Sequence, residues 1–198
     1  HPNTRNYKRL PITEYLPQRK TVKKSTYQSH CIVGTTAYDL HNPNRIAMHL
    51  VNNILGGPGM NSRLNLALRE RHGLAYNVES SYTPYSDTGI FTIYFGTDKA
   101  DTDKAIDLIL QELDGLRNKR MGILQLSKAK KQLIGQLAIG AESGENLMIS
   151  TAKSILVYER PDNIQNVFKR IEEITSLEVM EIANEILSPN RLSMLIYK

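Results

Sequence analysis

The sequence predicts an α+β fold, an antiparallel or mixed β-sheet with α-helices packed on one face. Three observations carry that prediction. Runs of β-branched and aromatic residues bounded by turn residues occur early in the chain and again at its end. Apolar periodicity of about 3.6 residues fills most of the second half. The order strand, helix pair, hairpin, helices, strand is not the strict alternation of a parallel sheet.

The first strand is expected over Tyr27–Tyr38, YQSHCIVGTTAY. Asn42-Pro43 supplies a cap and a first-turn proline for a helix over 43–55. In it Ile46, Leu50 and Ile54 form one i,i+4 row and Ala47, Val51 and Leu55 the next. Gly56-Gly57-Pro58-Gly59 stops it. A second helix, Asn61–Arg71, is closed by Gly73 as a left-handed cap. Strands over Leu74–Tyr82 and Gly89–Gly96, joined through Pro84, Ser86 and Asp87, read as an antiparallel pair. Asp98–Asn118 reads as one helix, acidic early and basic late as the helix dipole favours. Helices at Ile123–Ala141, Glu145–Glu159, Ile164–Glu173 and Leu177–Leu187 follow, with Asp162 and Ser176 as caps. Pro189 ends the last, and Arg191–Tyr197 closes the fold as a strand.

Charge is unevenly placed. Residues 1–30 hold seven cations against Glu14, +6 of the chain's +5 total, so the remainder is nearly neutral. The nucleic-acid reading that a pI of 9.2 suggests therefore has no folded basic surface behind it. Residues 1–26, with Pro2, Pro11 and Pro17, read as an extended basic linker, and 27–198 as a single domain. The longest apolar runs are well short of the roughly 18 residues of a spanning helix, so no membrane segment is expected. The start at His1, without a charged-then-apolar leader, reads as a piece of a longer protein. Cys31, the only cysteine, excludes an intrachain disulfide. It suits a reducing cytoplasm and leaves periplasm and organelle matrix open.

The glycine-rich stretch at Gly56, Gly57 and Gly59 precedes a helix, where an anion could bind, but Met60-Asn61-Ser62 is not the Gly-Lys-Ser/Thr of a nucleotide loop. The plain reading is a flexible helix–helix connection. His49-Leu-Val-Asn52-Asn53 has the spacing of a His-x-x-Glu-His zinc helix with amides at the base and second-ligand positions. An amide does not titrate near neutrality, so no metal is assigned to this chain. No Gly-x-Ser-x-Gly elbow is present, and Cys31 lies inside an expected strand, so no catalytic nucleophile is assigned. Arg69, in the last turn of the second helix, and Tyr76, on the strand face that carries Val78 and Tyr82, are brought towards one space by the reversal at Gly73. Such a pair offers donors to peptide carbonyls or an oxyanion. A helix-terminal arginine and a core tyrosine are the competing structural roles.

The run Ile54–Asp98, ILGGPGMNSRLNLALRERHGLAYNVESSYTPYSDTGIFTIYFGTD, resembles the C-terminal half of the pitrilysin/insulinase family of zinc metallopeptidases, the group that includes mitochondrial processing peptidase. LGG-x-G-M-x-SRL, the Arg-x6-Tyr element in LRERHGLAY and the DTG-I-F hairpin match in order and spacing. A weaker match extends over Tyr27–Lys198 and includes EEIT-x-LEV-x-EIANEIL. The resemblance implies two homologous halves, in one chain or two, closing around a peptide. Zinc is expected in the partner half, on its His-x-x-Glu-His and a downstream Glu, and none in this fragment. Carried over, the Arg and Tyr of the Arg-x6-Tyr element are Arg69 and Tyr76, which the resemblance implies contact substrate. The loop at Gly56, Gly57 and Gly59 resembles one implicated in substrate handling. The implied function is the substrate-binding, non-catalytic half of a zinc endopeptidase, inactive alone. Its implied partners are the homologous N-terminal half and a peptide, a homo-oligomer being open, with no nucleic acid or membrane. The alternative is a non-proteolytic structural or assembly subunit of the same fold.

Overall fold

Alternation along the strands decides which face of the sheet is covered. In the computed structural model, which describes residues 14–161 and 163–198, β1 (Arg19–Val22), β2 (Ser29–Ala37), β3 (Ala75–Pro84), β4 (Gly89–Thr97) and β5 (Ser193–Tyr197) form one sheet in the order β1-β5-β2-β4-β3. Neighbours are antiparallel except β1 and β5, which run parallel. Val33 and Cys31 of β2 and Phe91, Ile93 and Phe95 of β4 are buried, while Ile32 and Ile90, one residue out of phase, are exposed. One face is therefore packed and the other bare, the α+β arrangement expected.

The packed face lies against α1 (Arg45–Gly56), α2 (Thr102–Asn118), the end of α5 (Ile164–Glu173) and α6 (Ser176–Ile186). Met48, Leu50, Val51 and Leu55 of α1, Ile109, Leu113 and Leu116 of α2, Ile171 of α5, and Val179, Ile182 and Ile186 of α6 share its core. Each such side chain contributes about 1.5–3 kcal/mol on burial. The other helices, α3 (Ile123–Glu142) and α4 (Gly144–Tyr158), stand further out. α3 buries Leu126 and Leu133, and the one buried residue of α4 is Ser154.

Helix boundaries follow the sequence to within a few positions, with four differences in detail. The N-cap of α1 is Asn44, so Asn42 and Pro43 lie in the turn ahead of the helix rather than at its cap and first turn. The segment expected to continue the helix from Asp98 opens as a 3-10 turn, Lys99–Asp101, before α2. The N-cap of α6 is Thr175, whose hydroxyl accepts from Glu178 N at 3.1 Å, and not Ser176. Asn163 caps α5 through Gln165 N at 2.9 Å, and the expected cap Asp162 lies outside the described residues, as does the expected linker over residues 1–13.

Residues 19–22, assigned from charge and proline content to the linker, instead form the edge strand β1. Met194 N donates to Gln18 O at 2.7 Å and Lys24 N to Lys198 O at 2.9 Å. Tyr15, ahead of it, donates to Ser193 Oγ at 2.7 Å on the bare face. The strand pairing itself rests on backbone groups, helped by Gln18 N donating to Ser193 Oγ at 2.9 Å, and cations such as Arg19 and Lys20 suit an edge because they discourage further strand addition.

Two glycines make opposite demands. A Cβ at Gly56, where α1 meets β3, would stand 2.6 Å from Ser80 N and 2.8 Å from its Oγ. A Cβ at Gly135, inside α3, would meet nothing within 4 Å. Gly56→Ala is expected to destabilise the domain by about 1–3 kcal/mol, and Gly135→Ala to stabilise it by up to about 1 kcal/mol. Denaturant midpoints of the two variants should move in opposite directions.

Candidate functional site

The chain between Leu64 and Val78 places both residues of the Arg-x6-Tyr element. Asn65–Arg71 winds as a short π-helix, a form that recurs at functional sites. Gly73 follows at φ +61°, the left-handed region that favours glycine. Bonds from Gly73 N to Arg69 O at 3.0 Å and from Leu74 N to Leu68 O at 2.8 Å close the reversal. Thr97 Oγ1 donates to Leu74 O at 2.7 Å and fixes the entry into β3.

There β3 departs from the alternation read in the sequence. Ala75 pairs with Thr97 and Val78 with Phe95, so Tyr76 and Asn77 together oppose Gly96 in a β-bulge. Val78 and Tyr82 remain buried, but the extra residue turns Tyr76 outward, 87% exposed. Tyr76 is therefore not on the face of Val78 and Tyr82, and the core-tyrosine role is excluded. Arg69 is half-exposed, its Nε 3.7 Å from Glu70 Oε1. A surface pair of this kind is worth little and leaves the guanidinium available. Among the described residues no hydrogen bond or ion pair joins Arg69 to Tyr76. Both flank the start of β3, an edge strand of the sheet.

The glycine-rich loop is packed where it leaves α1. Gly56 lies on Ser80 of β3, and a Cβ at Gly57 would stand 2.8 Å from the Asn53 backbone. A Cβ at Gly59 would collide with the Gln132 amide and with Asn61 Oδ1. At Gly56 and Gly57 close backbone approach, rather than flexibility, is what the glycines supply.

The helix turn with zinc-like spacing is filled by amides. The His49 ring lies 4.6 Å from that of Tyr82, and burial with Arg45 nearby lowers its pKa. Asn52 O accepts from Ser80 Oγ at 3.0 Å. Asn53 Nδ2 donates to Gln136 Oε1 of α3 at 2.6 Å. Among the described residues no group of three His, Cys, Asp or Glu could hold a metal ion. This donor set does not fit zinc. The sequence reading did not find Gln136, although Gln125, Lys128, Gln132 and Gln136 recur along α3 at helical spacing.

With the fold and these positions described, comparison with known proteins places the chain. The pattern of the peptidase M16 inactive domain matches residues 2–133. An uncharacterized zinc protease of Streptomyces coelicolor is 30% identical over 166 residues, 84% of this chain and 36% of that protein. The uncharacterized zinc protease YmxG of Bacillus subtilis is 28% identical over 177 residues, 89% of this chain and 43% of that protein. The crystal structure of a peptidase M16 inactive domain from Pseudomonas fluorescens superimposes with a TM-score of 0.84 at 24% identity, over 97% of this chain and 45% of that one. The chain belongs to the peptidase M16 inactive-domain family, and it spans less than half the length of the relatives it matches. Among the described residues no helix is long and apolar enough to cross a membrane.

Cys31 is 1% exposed, and burial first, tempered by Lys198, pushes its thiol from 9.0 up to about 11. The thiolate, the reactive form, is thus scarcer in the fold than in the unfolded chain. Because the folded value is the higher one, this contribution to stability is complete below pH 9 and is lost as pH rises through about 11. Alkylation by iodoacetamide at neutral pH should run at least about 100-fold slower in the native domain than in urea. Comparable rates in the two states would contradict the burial.

Proposed function

We propose that this domain is the substrate-clamping, non-catalytic half of a zinc endopeptidase, in which Arg69 and Tyr76 hold a peptide against a homologous N-terminal half. The observation that carries this reading is the bulge at Tyr76. An aromatic residue at a strand start would ordinarily be buried; here one extra residue holds it almost fully in solvent, beside a half-exposed arginine. A phenol and a guanidinium together supply hydrogen-bond donors that match peptide carbonyl oxygens. Their contribution is positioning, holding an extended chain in one register for reaction at the other half. Zinc belongs to that half in this reading, since the amide-filled turn at His49–Asn53 does not suit it. The zinc-protease names of the relatives support the reading, as does the space they leave for a second domain of similar size.

The surface of α4 supports a partner half. Leu147, Met148, Ile149, Ile155 and Leu156 are all exposed on this helix, a concentration of apolar side chains that marks an interaction surface. In the assembled protein they pack against the N-terminal half.

In the full-length protein, Arg69→Ala combined with Tyr76→Phe is expected to lower kcat/KM on a flexible peptide by about 100-fold. The Tm should be unchanged, since both side chains face solvent. Undiminished cleavage would defeat the clamp. An intact assembly that cleaves no peptide would favour the structural-subunit alternative. Separately, Met148→Glu with Leu156→Glu should leave this domain folded by circular dichroism and weaken its association with a separately expressed N-terminal half. Unaltered association would remove α4 from the interface.

A further inference from the structure

A second polar feature lies beneath the glycine-rich loop, on residues the clamp does not use. A pocket of about 430 Å³ opens between that loop, the π-helical segment, α2 and α3. Three cations line it, Arg63, Arg71 and Lys128, against one acid, Glu112. Arg63 Nη1 sits 3.6 Å from Glu112 Oε2, and this pair accounts for the acid. No acidic side chain among the described residues pairs with Arg71 or Lys128, so two positive charges face the pocket uncompensated. Side-chain amides complete the lining. Asn61 Nδ2 donates to Gln132 Oε1 at 2.8 Å, which fixes both amides at the mouth below Gly59.

Unpaired cations beside fixed amides suit a carboxylate, which accepts several hydrogen bonds at once and is bound more tightly when the donors are charged. The pocket volume, within the usual range for ligand clefts, leaves room for the residues that carry the carboxylate. A nucleotide is disfavoured, because the loop lacks the Gly-Lys-Ser/Thr ending. Arg71 is two positions from Arg69 on the same short helix, so the two guanidiniums leave on different faces and serve different contacts.

We propose that this pocket, through Arg71 and Lys128, binds a carboxylate of a peptide, supplied by an acidic side chain or by the C-terminus. The proposal rests on the domain's being a peptide-handling half and adds to it a preference for acidic peptides.

The test uses the nitrogen-15-labelled 198-residue chain and three short Gly/Ser peptides, followed by NMR. One carries an internal Glu and an amidated C-terminus, the second Gln and a free C-terminus, the third Gln and an amide. At least one carboxylate peptide should shift the backbone amides of Arg71, Lys128 and Gln132 saturably, and the neutral peptide should not. Which of the two acts identifies the source of the carboxylate. Added salt should weaken binding. Arg71→Gln and Lys128→Gln, at exposed positions, should each weaken it about tenfold, and Lys128→Arg should restore it. Equal shifts with the neutral peptide, no shifts with any of the three, or undiminished binding to the Gln variants would overturn the proposal. The Arg69→Ala, Tyr76→Phe chain separates the two readings. It should retain the carboxylate-dependent shifts. If it loses them, the carboxylate sits at the clamp and the pocket assignment falls while the clamp stands. If it keeps them while cleavage by the full-length variant is undiminished, the clamp falls and the pocket stands.

Discussion

The arrangement depends on how closely α1 approaches β3. At Gly56 the helix backbone comes so near Ser80 that a single carbon would not fit, and the Ser80 hydroxyl bonds back to Asn52 O. With α1 held there, Asn53 reaches Gln136 on α3, which ties an outer helix to the packed layer. His49 is carried over Tyr82 by the same approach. Tyr82 donates to Tyr38 O at 2.8 Å, and Tyr38 donates to Glu185 Oε2 at 2.6 Å, a line of bonds from β3 across to α6. Loss of the close approach would disturb each of these contacts, none of which is adjustable independently in a close-packed interior.

The same strand holds buried and solvent-facing residues a few positions apart. Ser80 and Tyr82 serve the interior, whereas Tyr76 is diverted to solvent by the bulge. Gly96, opposite the bulge, carries no side chain to oppose the diversion. A bulge at an edge also increases local twist and makes unwanted strand pairing less favourable. Presenting Tyr76 and protecting the edge are thus compatible outcomes of one extra residue. The amide at Asn53 shows a complementary economy: at the second-ligand position a neutral bond to Gln136 takes the place of a metal ligand, so no buried charge has to be compensated there, while Asn52 Oδ1 is buried with no hydrogen-bond partner among the described residues.

Much of this was legible in the residues. Periodicity located β2, β4 and each α-helix to within a few positions, because one face of each is apolar and the other polar. Gly73 was readable as a left-handed cap for the reason the structure realises, its φ of +61°. Tyr76 was placed on the wrong face, since a bulge breaks period two without any local residue that announces it. β1 was missed because Arg19–Val22 has no buried side chain and is held by pairing with a strand some 175 residues away. The pocket cations were not legible either. Arg71 and Lys128 belong to elements far apart in sequence, and only tertiary packing makes them neighbours. Of the motif residues, spacing identified Arg69 and Tyr76 as a pair, but their exposure is a property of the fold.

The pairing of β1 with β5 also governs the timetable of folding. β5 is the last of the described strands, and β1 lies outside it with no other neighbour in the sheet among the described residues. During synthesis β1 emerges well before β5 and cannot join the sheet until β5 has followed it. Contacts of such long sequence separation form late, because the intervening loop must be closed first. Until then the residues of β2 that will face β5 present an unpaired edge, the kind of surface on which folding intermediates aggregate. The β3–β4 hairpin, whose pairing is local in sequence, does not wait for that closure.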